Sequence, residues 1–266
     1  MLNAIESSLI IIASMLAAAA CLFAYRRYWL RHNRHQMNDI IGWQITFLAT
    51  TYAVIVAFML SDVWNDYRGA EANSESEANA LLNLYRSSAG LANPQSQEIR
   101  LLAKQYARAM VSEEWPAMQG GGYSPVAVTI VHQLWATLTH TQAHNATEQA
   151  VLTRALSDLT NMTEHRRIRH LESRSGLPEI FWVLLIVGGV LTVLYTCFFD
   201  IDDGKLHAAQ VLGTTFMVSL ILVTIADVDA PYGGAIRIQP TAFTQVLQTM
   251  SDEAVLPQGK AGQPQG

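Results

Sequence analysis

Residues 40–61 read IIGWQITFLATTYAVIVAFMLS, and residues 62–88 continue DVWNDYRGAEANSESEANALLNLYRSS. The first stretch is almost unbroken apolar sequence. At about 1.5 Å of rise per residue it is long enough to cross the roughly 30 Å hydrocarbon core of a bilayer as a helix. The second has no proline and one glycine, and it sets Ala78, Leu81, Leu82 and Tyr85 at the i, i+3, i+4, i+7 spacing of one helix face. One helix is therefore predicted to leave a membrane and run on into water.

The rest of the chain agrees. Of its 266 residues 50% are hydrophobic and 15% charged, against about 25% charged in ordinary soluble domains, and the mean hydropathy is +0.17. A net charge of -5 carries no basic balance or stripe of the kind that binds phosphate backbones, which sets nucleic acid aside. Cys21 and Cys197 both lie in apolar runs and suggest neither a disulfide framework nor a zinc site.

Three further runs can span. Leu9–Tyr25 is followed, not preceded, by Arg26, Arg27, Arg31 and Arg34, so it reads as an uncleaved span and not a secretory signal, despite a faint lipoprotein-like LAAAAC at 16–21. Ile180–Phe199 opens after Pro178 and carries Gly188 and Gly189; the fourth run is His207–Ala226. Asp200–Lys205 between them reads as a polar turn, too short and wrongly spaced for an EF-hand. The fold class expected is an all-α membrane protein, with four transmembrane helices and a helical soluble insert between the second and third. Its divisions are 1–61 (spans one and two), 62–178 (insert), 179–227 (spans three and four) and 228–266 (C-terminal segment and a tail read as disordered).

Asn93-Pro94 and Gly120–Gly122 divide the insert into helices near 62–90, 95–114, 125–142 and 146–174. Ile99, Leu102, Tyr106 and Met110 share a face of the second. Ile130, Val131, Leu134 and Leu138 do so in the third, and Val151, Ala155, Leu159 and Met162 in the fourth. Four such stripes can be buried as a bundle. At the end of the insert Arg166, Arg167, Arg169 and Arg174, with His165 and His170, form a basic cluster suited to lipid headgroups or to concentrating anions. His140 and His144 are i, i+4 but lack a third ligand, so no metal is assigned. No nucleotide-binding loop and no Ser/His/Asp or Cys/His set occurs on the soluble elements, so neither an enzyme nor a cofactor is expected.

Several short signatures coincide: Glu77-Ala78-Asn79-Ala80 leading to Leu84-Tyr85-Arg86; Glu114-Trp115-Pro116; Leu177-Pro178 with Trp182; and Asp229-Ala230-Pro231-Tyr232-Gly233-Gly234 running to Pro240. In this order, from about Ala24 to Phe243, the chain resembles the bestrophin-like family of bacterial membrane proteins, a domain family of unknown function named for distant similarity to the bestrophins. The resemblance implies a multi-pass protein of the bacterial inner (cytoplasmic) membrane. It also implies a relation to pentameric anion channels with four spans per subunit and a pore lined by the second. The acidic calcium clasp of animal bestrophins is not matched residue by residue by Asp227 and Asp229, and no calcium site is carried over.

The second span can be read in two ways. Gly42, Thr46, Ala49, Ala53 and Ala57 form a small-residue stripe which, with Gly188 and Gly189, lets helices approach closely and points to a homo-oligomer. Elsewhere on the span stand Trp43, Phe47, Thr50, Thr51, Val54, Phe58 and Asp62. These are either a lipid-facing and interfacial aromatic set or the lining of an axial pathway. In the second case Phe47 and Phe58 are its constrictions, echoing a bestrophin neck, and Thr50, Thr51 and Asp62 its polar contacts with inorganic ions. Function divides accordingly: a homo-oligomeric ion channel, or a non-conducting scaffold or sensor whose insert binds a partner. The arginines after the first span place that loop in the cytoplasm and the insert outside, whereas the bestrophin resemblance implies the reverse.

Overall fold

The computed structural model describes residues 4–28, 38–199 and 201–255. Arg31, Arg34, Asp200 and the tail beyond 255, on which the loop and tail expectations rest, lie outside the described residues. The described chain is helical and contains no strand. Its elements are α1 (Ala4–Tyr28), α2 (Asn38–Ser87), α3 (Gln95–Ala109), α4 (Trp115–Gln119), α5 (Pro125–His140), α6 (Ala146–Glu172), α7 (Glu179–Cys197), α8 (Gly204–Val228) and α9 (Thr241–Val255). A π turn, Met110–Glu114, joins α3 to α4. α2 is one uninterrupted helix of 50 residues, as its hydropathy and missing breakers require.

The chain forms two compact units, Met1–Arg68 with Gly176–Arg237, and Gly69–Ser175 with Ile238–Gly266. The first unit holds four helices long and apolar enough to cross a membrane: α1, the first part of α2, α7 and α8. This is the multi-pass architecture that the four runs predict. Tyr52, Val56 and Val63 of α2 pack with Leu185 of α7 and with Ile225 and Val228 of α8. The Tyr52 hydroxyl donates to the Leu185 carbonyl at 3.0 Å. Gly188 is required there, because a Cβ would stand 2.5 Å from the Tyr52 ring. At Gly189 a Cβ would meet Val218 at 2.8 Å. Both glycines thus serve packing inside one chain. Among α1, α7 and α8, Ala18, Leu22, Cys197 and Val211 form a second cluster, and the Ser14 and Ser219 hydroxyls bond at 2.7 Å, a polar link of the kind that joins helices in hydrocarbon.

The end of α8 is tied back by its aspartates. Asp229 accepts from the Leu177 backbone at 2.8 Å, and Asp227 accepts from the Ala235 backbone at 3.1 Å. Burial raises the Asp229 carboxyl, partly offset by its hydrogen bonds from Leu177 and Trp182. Gly234 turns the chain at φ +70, where any Cβ would sit 2.7 Å from the Asp227 carboxylate. Two of the four sequence signatures are therefore the two sides of one joint.

The second unit is a water-type bundle. The predicted stripes are its interior: Ile99, Tyr106, Met110, Leu134, Leu138, Leu159 and Met162 are each fully buried. α9, which the sequence reading set apart in a C-terminal segment beginning at 228, completes this core. Ile238, Phe243, Val246 and Met250 are buried, and Phe243 packs on Trp115 with ring centroids 5.5 Å apart. The Trp115 indole donates to the Ile238 carbonyl, and the Tyr85 hydroxyl donates to that of Met250. A single narrow stripe shows that α9 is amphipathic but not which core receives it.

Candidate functional site

On α2 the first unit uses one side only. Tyr52, Val56 and Val63 are buried, while Phe47 and Phe58 are 76% and 68% exposed. Val54, Thr50, Thr51 and Asp62 are exposed as well. At about 100° of rotation per residue, Phe47, Thr51, Val54, Phe58 and Asp62 fall within a sector of about 80°, with Thr50 at its edge toward Ala57. Between that sector and the packed side runs the small-residue stripe. Thr46, Ala53 and Ala57 are exposed, Ala49 is half-buried, and Gly42 is half-buried with Phe199 at 4.0 Å from where a Cβ would be. α2 therefore has three distinct sides, two of them free within the protomer.

The free surface is not that of an ordinary lipid-facing helix. α1 exposes Ile5, Leu9, Ile10, Ile12, Leu16 and Phe23, with its exposed polar residues Glu6, Ser8 and Arg27 near its ends; α2 exposes Gln44, Thr46, Thr50 and Thr51 within its apolar stretch, and Ser61 and Asp62 at the end of it, among its aromatics. Threonine in a helix usually returns its hydroxyl to its own backbone. Thr46 does so, to Gly42 at 2.8 Å, but the Thr50 and Thr51 hydroxyls make no hydrogen bond among the described residues. Polar groups inside a membrane belong against protein or water, not acyl chains.

The basic cluster divides in two. Arg169 is fully buried and Arg166 nearly so, because they continue the Ala155, Leu159, Met162 face of α6 by steps of three and four. The Arg169 guanidinium donates to Glu77 at 2.7 Å through Nε and to Glu114 at 3.3 Å through Nη2, with the Met118 sulfur 2.7 Å from Nη1. Arg166 reaches Glu114 at 3.3 Å, His170 reaches it at 3.1 Å, and the Ser124 backbone donates to it at 2.6 Å. The Tyr106 hydroxyl donates to Glu77 at 2.6 Å. Arg167 and Arg174 remain outside, and Arg167 pairs with Glu164 at 2.6 Å.

Burial alone would push the Glu114 carboxyl up. The His170 hydrogen bond, the Arg169 charge, the Ser124 N–H and the Arg166 charge together bring it down to about 2. Burial likewise opposes the charge on Arg169, but Glu77 beside it holds the guanidinium protonated above its ordinary range. Burial first and the Glu77 charge second push the Tyr106 phenol well up, so it stays a donor. Glu77 and Glu114, quoted above only as signatures, are thus the counter-ions of the interior arginines. The sequence did hold a signal: Glu77 stands on the same face as Leu81 and Leu84, a charge in a core stripe that demands a partner.

The sequence profile of the Bestrophin-like domain matches residues 12–243. No curated protein matches the chain. Among solved structures, a point mutant of a bacterial bestrophin homologue from Klebsiella pneumoniae is similar with a TM-score of 0.70 and 10% identity, covering 93% of this chain and 100% of that one. The structure of a Klebsiella pneumoniae bestrophin homologue phased from zinc gives 0.65 and 11%, covering 92% and 97%. At such identities the likeness shows the fold.

Proposed function

The chain belongs to the bestrophin-like family, and we propose that it assembles with copies of itself into a ring that conducts inorganic ions along α2. What carries the proposal is the polar free side of α2. Thr50, Thr51 and Asp62 stand exposed on a helix whose apolar stretch is 11% buried within the chain; α1 is buried as little, but the exposed side of its mid-section is apolar. Around a symmetry axis, the sector from Phe47 to Asp62 would face the lumen and the Thr46–Ala57 stripe a neighbouring copy. By analogy with the bestrophins the ring has five subunits. Gly188 and Gly189 are spent inside the chain, so they lend the assembly no support; the α2 stripe does.

Phe47 and Phe58 would form apolar constrictions that gate by dewetting, and Asp62 a carboxylate ring. That ring favours cations. The alternative source of anion selectivity, the 166–174 cluster, is weakened because Arg166 and Arg169 are neutralised by Glu77 and Glu114. We therefore favour a cation pathway over the anion pathway that bestrophin analogy implies. The protein would lie in the bacterial inner membrane, with the insert outside by the charge rule. Light scattering of the solubilised protein, corrected for detergent, tests the assembly, and ion flux into liposomes tests conduction. A multiple of the 29.4 kDa chain mass and flux above empty liposomes are expected; a monomer overturns the ring. A ring without flux leaves the non-conducting scaffold.

A further inference from the structure

The second unit carries an open groove of ≈ 640 Å³ between α5 and α6, within the roughly 300–1,000 Å³ of small-molecule sites. Its apolar and aromatic lining is the buried Val131, the half-buried Val128 and Trp135, and the exposed Leu171 and Tyr123. Its rim carries the guanidinium groups of Arg166, Arg167 and Arg174 and the imidazoles of His132 and His170. No Asp or Glu is among the described residues that line it.

These groups are not equally available. Arg166 and His170 are committed to Glu114, and Arg167 to Glu164 at the surface. Arg174 and His132 are exposed, and their side chains make no hydrogen bond or ion pair among the described residues. The Tyr123 ring stands edge-on to His170, with centroids 6.1 Å apart and planes at 81°, and Tyr123, Trp135 and Arg174 line the same groove.

We propose that this groove binds a soluble aryl carboxylate, its flat apolar body against Trp135, Val131 and Leu171 and its carboxylate on Arg174, with Arg167 close by. Each class of alternative leaves part of the surface unused or opposed. A small inorganic anion has no use for the apolar lining, an organic cation meets the guanidinium groups of the rim, and a neutral aromatic leaves Arg174 without a counter-charge. Guanidinium suits a carboxylate because its planar fork matches both oxygens. Being confined to the second unit, the site does not depend on whether the chain conducts.

The test uses the full chain in nanodiscs of phosphatidylcholine, with 2-naphthoate as the probe in titration calorimetry and empty discs subtracted. One saturable site per chain is expected, with 2-naphthalenemethanol at least tenfold weaker. Arg174→Gln should weaken naphthoate at least tenfold and Arg167→Gln less, while Arg237→Gln, in the other unit, leaves it unchanged. Arg174 and Arg167 are exposed, so both variants should keep the wild-type circular dichroism. Equal affinity in wild type and Arg174→Gln, or heat no greater than that of empty discs, overturns the proposal. So does binding that disappears when the discs contain phosphatidylglycerol, because the groove would then belong to a lipid headgroup.

Discussion

The same helix solves opposite problems in its two parts. Between Asn38 and Arg68, α2 buries Tyr52, Val56 and Val63 and leaves aromatic rings on its surface; from Gly69 to Ser87 it buries Ala70, Ala78, Leu81, Leu84, Tyr85 and the carboxylate of Glu77. The difference follows from the solvent. In hydrocarbon an exposed apolar side chain such as Leu16 or Phe23 of α1 costs nothing, so helices meet through close approach and a few hydrogen bonds, as at Gly188 and Tyr52. In water the apolar stripe must be covered, and a charge trapped under it must be fully paired, as Glu77 is by Arg169 and Tyr106.

The comparison breaks first in the water-type unit. Arg169→Met leaves the buried Glu77 without its guanidinium and takes one of two from Glu114, and should cost about 3–5 kcal/mol in denaturant unfolding. The double variant Arg169→Met with Glu77→Met should recover part of that loss, showing that the pair is coupled. If the single change costs under 1 kcal/mol, the network is not what holds this core.

Acid should act on the same unit. Glu114 lies at about 2 in the folded chain against its ordinary 4.5, so its contribution is complete above about pH 4.5 and is lost as the pH falls toward 2. The amount is up to about 3 kcal/mol by linkage. Glu114→Gln should be less stable than wild type at pH 7 and show a shallower decline on acidification. Parallel curves for the two proteins would remove Glu114 from the account.

In the membrane-type unit the corresponding weak point is steric. Gly188→Leu forces a side chain into the Tyr52 ring and should cost about 1–3 kcal/mol, read as lost thermal stability in detergent. Gly213→Leu, where a Cβ meets nothing within 4 Å, should be tolerated. Equal losses would mean that the close approach at Gly188 is not special.

How far sequence reaches can be seen at particular residues. Local pattern found α2 as one helix, the four spans, and the faces carrying Ile99, Leu134 and Leu159, because periodicity is a property of each segment alone. It did not find that α9 joins the insert's core, that Gly188 meets Tyr52, or that Arg169 meets Glu77 across 92 positions. Those are choices of partner, and a stripe of small residues or a run of arginines looks the same whichever surface it meets. The three-sided character of α2 is half legible: the sequence separates the small stripe from the aromatic set, and only the packing of Tyr52, Val56 and Val63 shows which side the protomer itself uses.

A smaller effect sharpens the contrast by placing the water-type unit on one side of the membrane. Ser112 is exposed in that unit. Ser112→Cys should react with a membrane-impermeant thiol reagent in intact spheroplasts, and labelling only after lysis would reverse the proposed orientation.

The central claim is that the free side of α2 lines an ion pathway, and Asp62 tests it most directly. In liposomes holding the reconstituted assembly, the cation-to-anion permeability ratio should favour cations and fall several-fold in Asp62→Asn with the assembly intact. Wild-type flux equal to that of empty liposomes, or a ratio unchanged by the substitution, would contradict it.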